Sequence, residues 1–138
     1  LLRRTIQMFN KIVPHLFLGD YHDYELLSGT IGVIEKPYLF VDARPFYNLL
    51  QSDANGKELM VFPLRTLAFS LSKLVSANVD VYIYCQAGME RSPFLTAIVL
   101  FYLDMGSLAW CYNYVKSKRP ETLIYDTWTK HMAGVLFE

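Results

Sequence analysis

Residues 79–103 constrain this chain more than any other stretch. Val79-Asp80-Val81-Tyr82-Ile83-Tyr84 is β-branched, apolar or aromatic except for one aspartate, and reads as a buried strand. Pro93 to Leu103 opens with proline and continues apolar except for Thr96, which reads as a helix packed on all sides. Between them runs Cys85-Gln86-Ala87-Gly88-Met89-Glu90-Arg91-Ser92, with a cysteine and an arginine six positions apart and a serine directly after. A strand, a glycine-bearing loop and a helix start in this order make an anion cradle. The loop amides turn inward, and the helix dipole adds partial positive charge at the same point.

The residue types in the loop fit one chemistry. A thiol attacks only as its thiolate, and both a ring of N–H donors and a nearby guanidinium favour that form at Cys85. Arg91 presents a planar fork of donors that matches two phosphate oxygens. The amides of Gln86, Ala87, Gly88, Met89, Glu90 and Arg91 would hold the oxygens, and Gly88 allows the positive φ such a turn requires. Ser92 would hydrogen-bond the sulfur when it leaves a phosphocysteine intermediate. The implied reaction is two-step hydrolysis of a phosphate ester, with Cys85, Arg91 and Ser92 as its catalytic residues and no cofactor or metal. The competing reading is a packed strand-end cysteine beside an unrelated arginine. The flanking strand, the glycine, the serine and the apolar helix together weigh against it.

Strands and helices alternate along the rest of the chain. Short strands are expected at Ile12–Val13 and Leu16–Leu18, a helix at Tyr21–Leu27 and a strand from Tyr38 to Val41 ending at Asp42. A helix at 45–50, a turn at Asn55-Gly56, a strand at Leu59–Phe62 and an amphipathic helix at Thr66–Ser76 follow. Helices at 93–104, 107–118 and 123–136 complete the reading. The fold class is therefore α/β: a central, mostly parallel sheet flanked by helices. The nucleophile lies at the carboxyl end of a central strand, where such sheets bind ligands.

Residues 1–138 fit one domain of ordinary size. With 53% apolar residues and a formal net charge of zero, the chain is neither disordered nor a polyanion binder, so nucleic acid is an unexpected partner. His15, His22 and His131 lack metal-ligand spacing, and His22 and Asp23 read as plain surface residues, with a polar pair between them as the lesser reading. The aromatic residues fall at core spacing, with Tyr84 aimed near the loop by its position beside Cys85. Arg119-Pro120 reads as a helix stop, with a second anion contact by Arg119 as the lesser reading. Nothing reaches the ~20 apolar residues of a membrane span, and the first residues lack the apolar core of a secretory leader. Cys111 reads as packing. A Cys85–Cys111 bridge would abolish the nucleophile, so the chemistry implies a reducing, cytoplasmic setting.

With these residues in place, the chain resembles the dual-specificity branch of the cysteine-dependent protein tyrosine phosphatases. The loop carries most of the likeness. Lys11-Ile12-Val13-Pro14-His15-Leu16-Phe17-Leu18-Gly19-Asp20 is similar to the family's opening hairpin. Met105-Gly106-Ser107-Leu108 through Val115-Lys116-Ser117-Lys118-Arg119-Pro120 is similar to the helix after the loop, and Trp128 to Glu138 to the last one. The resemblance implies a phosphotyrosine-phosphatase-like sheet with an N-terminal β-hairpin. It also implies a phosphoprotein or phosphopeptide substrate, and inorganic phosphate or sulfate as a ligand of the loop. Two departures stand out. Tyr84 occupies the place of the family's histidine, and the family's acid loop corresponds to Met60-Val61-Phe62-Pro63-Leu64-Arg65-Thr66, which has no carboxylate. Candidate proton donors are Glu90, otherwise a solvated side chain, and Asp42, otherwise a partner of Arg44 or a helix cap. Asp53 and Glu58 read as turn polarity.

Overall fold

The computed structural model describes residues 9–29, 38–45 and 54–136, with side chains of the last stretch from residue 61 onward. In chain order the elements are β1 (Asn10–Val13), β2 (Leu16–Asp20), α1 (Tyr21–Gly29), β3 (Leu39–Asp42), α2 (Ala54–Ser76), β4 (Val81–Cys85), α3 (Arg91–Tyr102), α4 (Leu108–Lys118) and α5 (Asp126–Leu136). The strands form one sheet in the order β1-β2-β4-β3. β4 runs parallel to both β2 and β3, and β1 folds back antiparallel on β2 as the expected hairpin. Register pairs Asp20 with Cys85 and Asp42 with Tyr84, so three strands end together at the start of the loop.

Alternation along β4 sends its side chains to two different cores. Val81, Ile83 and Cys85 face a large apolar core built with Leu16, Leu18 and residues of α2, α3, α4 and α5. Tyr82 and Tyr84 face a smaller aromatic core with Leu27, Phe9, Phe17, Tyr21, Tyr24, Tyr38 and Phe40. All five β4 residues are buried, as expected of a strand covered on both sides. Residues 92–100 of α3 are buried as well, so the helix that carries the loop is the central one of its layer.

Three expectations are corrected. The turn at Asn55-Gly56, the strand at Leu59–Phe62 and the helix start at Thr66 are replaced by a single helix, α2, running through Pro63. Buried Val61, Leu64, Ala68, Leu71 and Val75 explain why: they recur at three- and four-residue steps on one helical face. Their packing outweighs the one backbone bond Pro63 cannot donate. Asp53 and the side chain of Glu58 lie outside the described residues, as do residues 46–50 of the expected 45–50 helix. Secondly, Tyr84 does not approach the cavity: it stacks on Tyr24 at 4.2 Å, on the sheet face opposite Cys85. Thirdly, not every aromatic is core, since Trp110 is about half exposed and stacks on Tyr114.

Candidate active site

The loop after β4 is shaped by what holds its outer face. Ala43 N–H donates to the Tyr84 carbonyl at 2.8 Å, Tyr21 N–H to Gln86 at 3.3 Å, and Leu123 N–H to Met89 at 2.8 Å. The Arg119 guanidinium donates to the Gly88 carbonyl at 2.7 Å and to Ala87 at 3.4 Å. Carbonyls engaged in this way are what a loop needs if its amides are to be left for an anion. Gly88 has φ +68°, and a Cβ there would lie 2.6 Å from both Arg119 Nη2 and the Gly19 carbonyl oxygen. Only glycine fits that close approach.

On the concave side is a cavity of about 230 Å³, lined by Cys85, Gln86, Ala87, Met89, Glu90 and Arg91. Cys85 is 2% exposed and sits at its floor, with Sγ 3.1 Å from Ser92 Oγ. Helix α3 begins at Arg91, two residues earlier than the proline suggests. Its N-cap, Glu90, makes no side-chain capping bond, and Pro93 has no N–H to offer. The N-cap side chain therefore leaves the first-turn amides uncapped, which is the arrangement that favours an anion.

The candidate proton donors separate. Asp42 is chelated by Arg44: Nε lies 3.0 Å from Oδ1, Nη2 lies 2.8 Å from Oδ2, and the Arg44 N–H adds a bond of 2.9 Å to Oδ1. Partial burial pushes the Asp42 carboxyl up, but these bonds and the charges of Arg44 and Arg91 outweigh it and hold it below its ordinary value. A carboxyl held ionised has no proton to deliver, so Asp42 is the partner of Arg44. Glu90 is half-buried at the cavity's edge. It faces Tyr125, whose phenol is pushed up by burial first and then by the hydrogen bond to Glu90. It is thus a held side chain, not one loose in solvent.

Arg119 is the C-cap at which α4 ends, as Arg119-Pro120 predicts, whereas the lesser reading of Arg119 and the surface reading of Asp23 are corrected. Arg119 is 2% exposed and is no second anion ligand, since it binds the loop carbonyls and Asn10 Oδ1 at 2.9 Å. Asp23 is fully buried, while His22 beside it is exposed. Cys85 and Cys111 are both free thiols. Burial pushes Cys111 up to about 11. No group of three or more His, Cys, Asp or Glu able to hold a metal occurs among the described residues, and no helix there is long and apolar enough to cross a membrane.

Human DUSP28, in a tyrosine-to-histidine variant, superposes over 94% of this chain and 96% of its own with a TM-score of 0.73 and 17% identity. The chain has the dual-specificity phosphatase fold. PTPMT1 in complex with PI(5)P matches over 92% of this chain and 93% of its own, with a TM-score of 0.65 and 12% identity. A human tyrosine phosphatase-like serine/threonine/tyrosine-interacting protein matches over 94% and 95%, with a TM-score of 0.62 and 13% identity. At these identities the likeness is one of fold. No protein-family model and no curated protein matches the sequence.

Proposed function

We propose that this domain is a cysteine-dependent phosphatase acting on phosphotyrosine, with phosphoserine and phosphothreonine as further substrates. The observation that carries the reading is the cavity itself, which Cys85 and Arg91 both line, with the carbonyls of the loop between them bonded to Arg119 and neighbouring elements. Cys85 Sγ attacks phosphorus, forming the S–P bond as the ester P–O bond breaks. Arg91 and the amides of residues 86–91 stabilise the charge on the three equatorial oxygens. Water then attacks phosphorus and gives its proton to the carboxylate left when the first step protonated the leaving oxygen, the S–P bond breaks, and Ser92 donates to the departing thiolate. The setting proposed for this chemistry is a reducing, cytoplasmic one.

The leaving oxygen needs a proton, and Glu90 is the carboxyl we assign to deliver it. Glu90→Gln is expected to lower kcat by about 10²-fold on phenyl phosphate, and far less on p-nitrophenyl phosphate, whose leaving group is stable as an anion. The unaltered enzyme should lose rate at high pH, and that loss should disappear in the variant. Equal kcat and an unchanged pH profile remove Glu90 from the mechanism.

A second reading, a phosphate-binding module with little turnover, is favoured by the chelation of Asp42 and by a helix where the family's acid loop was expected. A substrate panel separates the readings. Phosphotyrosine peptide hydrolysed ahead of phosphothreonine peptide, a monophosphorylated inositol lipid and RNA 5′-triphosphate supports the proposal. Binding of the first without hydrolysis supports the module, and preference for either of the last two moves the same chemistry to that substrate class.

A further inference from the structure

Asp23 is a buried acid that the reaction above does not use. Its side chain is 0% exposed, and neither carboxyl oxygen has a hydrogen-bond partner among the described residues. It lies in the first turn of α1, where Asp20 Oδ1 accepts from its N–H at 2.8 Å. The same turn is tied to the loop through the bond from Tyr21 N–H to Gln86 O. Four titratable or charged groups face it: Asp20 from the end of β2, His22 on α1, the Tyr82 phenol from β4 and the Arg119 guanidinium beyond α4. The Tyr82 hydroxyl donates to the Asp20 carbonyl, and Arg119 joins Ala87, Gly88 and Asn10, with Glu121 3.9 Å away.

We infer that Asp23 is a proton-linked positioning residue, whose charge state sets how firmly Arg119 holds the phosphate loop in its anion-receiving shape. A neutral carboxyl makes a far smaller demand on its neighbours than a carboxylate does, and the Arg119 donors stay on the loop carbonyls. An ionised carboxylate buried without donors draws on the donors that face it, Arg119 and the Tyr82 hydroxyl. It also places a negative charge behind a site built for a dianion. Burial first, and then the charge of Asp20, push Asp23 up to about 6, against the opposing pull of His22 and Arg119. The direction follows: dianion binding is strong below that pH and weakens above it. This inference rests on the reading of residues 85–92 as a dianion cradle.

The test uses sulfate, a dianion throughout pH 5–8, followed by NMR of the loop amides in Cys85→Ser protein so that no thiol titrates at the site. Sulfate should bind roughly fivefold tighter at pH 5 than at pH 7.5, and Asp23→Asn should remove the difference. His22→Asn, which deletes the imidazole facing Asp23, should keep it. A second readout needs no change at Asp23. Its carboxyl carbon should titrate with a midpoint near the value above, and saturating sulfate should raise that midpoint, because the coupling is reciprocal. Sulfate binding whose pH dependence survives in Asp23→Asn, or a midpoint indifferent to sulfate, overturns the inference while leaving the cradle intact. Absence of sulfate binding at every pH overturns the cradle, and the inference with it.

Discussion

Cys85→Ser will reduce phosphate ester hydrolysis by at least about 10³-fold while leaving the fold and the anion site in place. The loss is large because a serine hydroxyl at this position stays protonated near neutral pH, whereas the thiol can ionise and is intrinsically the better nucleophile. The fold survives because the replaced atom is small and its contact with Ser92 Oγ at 3.1 Å is one a hydroxyl can also make. Thermal unfolding of the variant should therefore match that of the unaltered protein. Cys111→Ala is the control: its side chain points from α4 into the main apolar core and its thiol donates to the Gly106 carbonyl at 3.7 Å, away from the cavity lining. Its rate should be unchanged. Equal rates for Cys85→Ser and the unaltered protein would remove the thiol from the reaction.

Arg119→Met will lose about 3–5 kcal/mol of stability, the summed cost of leaving several buried acceptors without their donors. Against a total of about 5–15 kcal/mol that is a large fraction, and it corresponds to a drop in Tm of roughly 10–20 °C. The physical cause is specific. The carbonyls of Gly88 and Ala87 and the Asn10 side chain lose their donors at 2.7, 3.4 and 2.9 Å, and methionine offers none in exchange. The outward pull on the loop disappears with them, so dianion affinity falls along with stability. Arg119→Lys keeps the charge but not the fork, and should lie between the two. A Tm within about 2 °C of the unaltered protein, with sulfate affinity intact, would show that the loop needs no support from Arg119.

A related outcome concerns pH. Asp23 binds its proton more tightly when folded, about 6 against an ordinary carboxyl near 3.8. Between those values the folded state holds more protons than the unfolded one, so Asp23 lowers stability as pH rises through this window. Asp23→Asn should raise the urea midpoint at pH 7.5 and leave it unchanged at pH 4. No gain at pH 7.5 would mean that the ionised carboxyl is not penalised in the fold.

The parts of the fold legible in the sequence are those set by local pattern. β4, the loop and α3 announce themselves because a β-branched run, a glycine and an apolar run follow one another without interruption. The helix α2 was obscured by two strong punctuators, Asn55-Gly56 and Pro63, although the spacing of Val61, Leu64, Ala68, Leu71 and Val75 was already helical. Tertiary packing decided between those signals. Tyr84 was misplaced because adjacency in a strand was read as proximity, when alternation puts neighbours on opposite faces. Arg119 and Asp23 were beyond reach for a different reason. Arg119 meets Gly88 31 positions away in sequence, and a buried, unpartnered aspartate contradicts the usual preference for solvent. Long-range contacts of this kind leave no local spacing to read.

The most direct test of the central claim is a single-turnover reaction with a phosphotyrosine peptide, quenched in acid and read by mass spectrometry. Ser92→Ala should be used alongside the unaltered protein, because slowing release of the sulfur lets the intermediate accumulate. The account predicts one phosphoryl group on the peptide that carries Cys85, present before product phosphate appears and absent in Cys85→Ser. Turnover with no phosphoryl group on that peptide, or with the label on another residue, would contradict it.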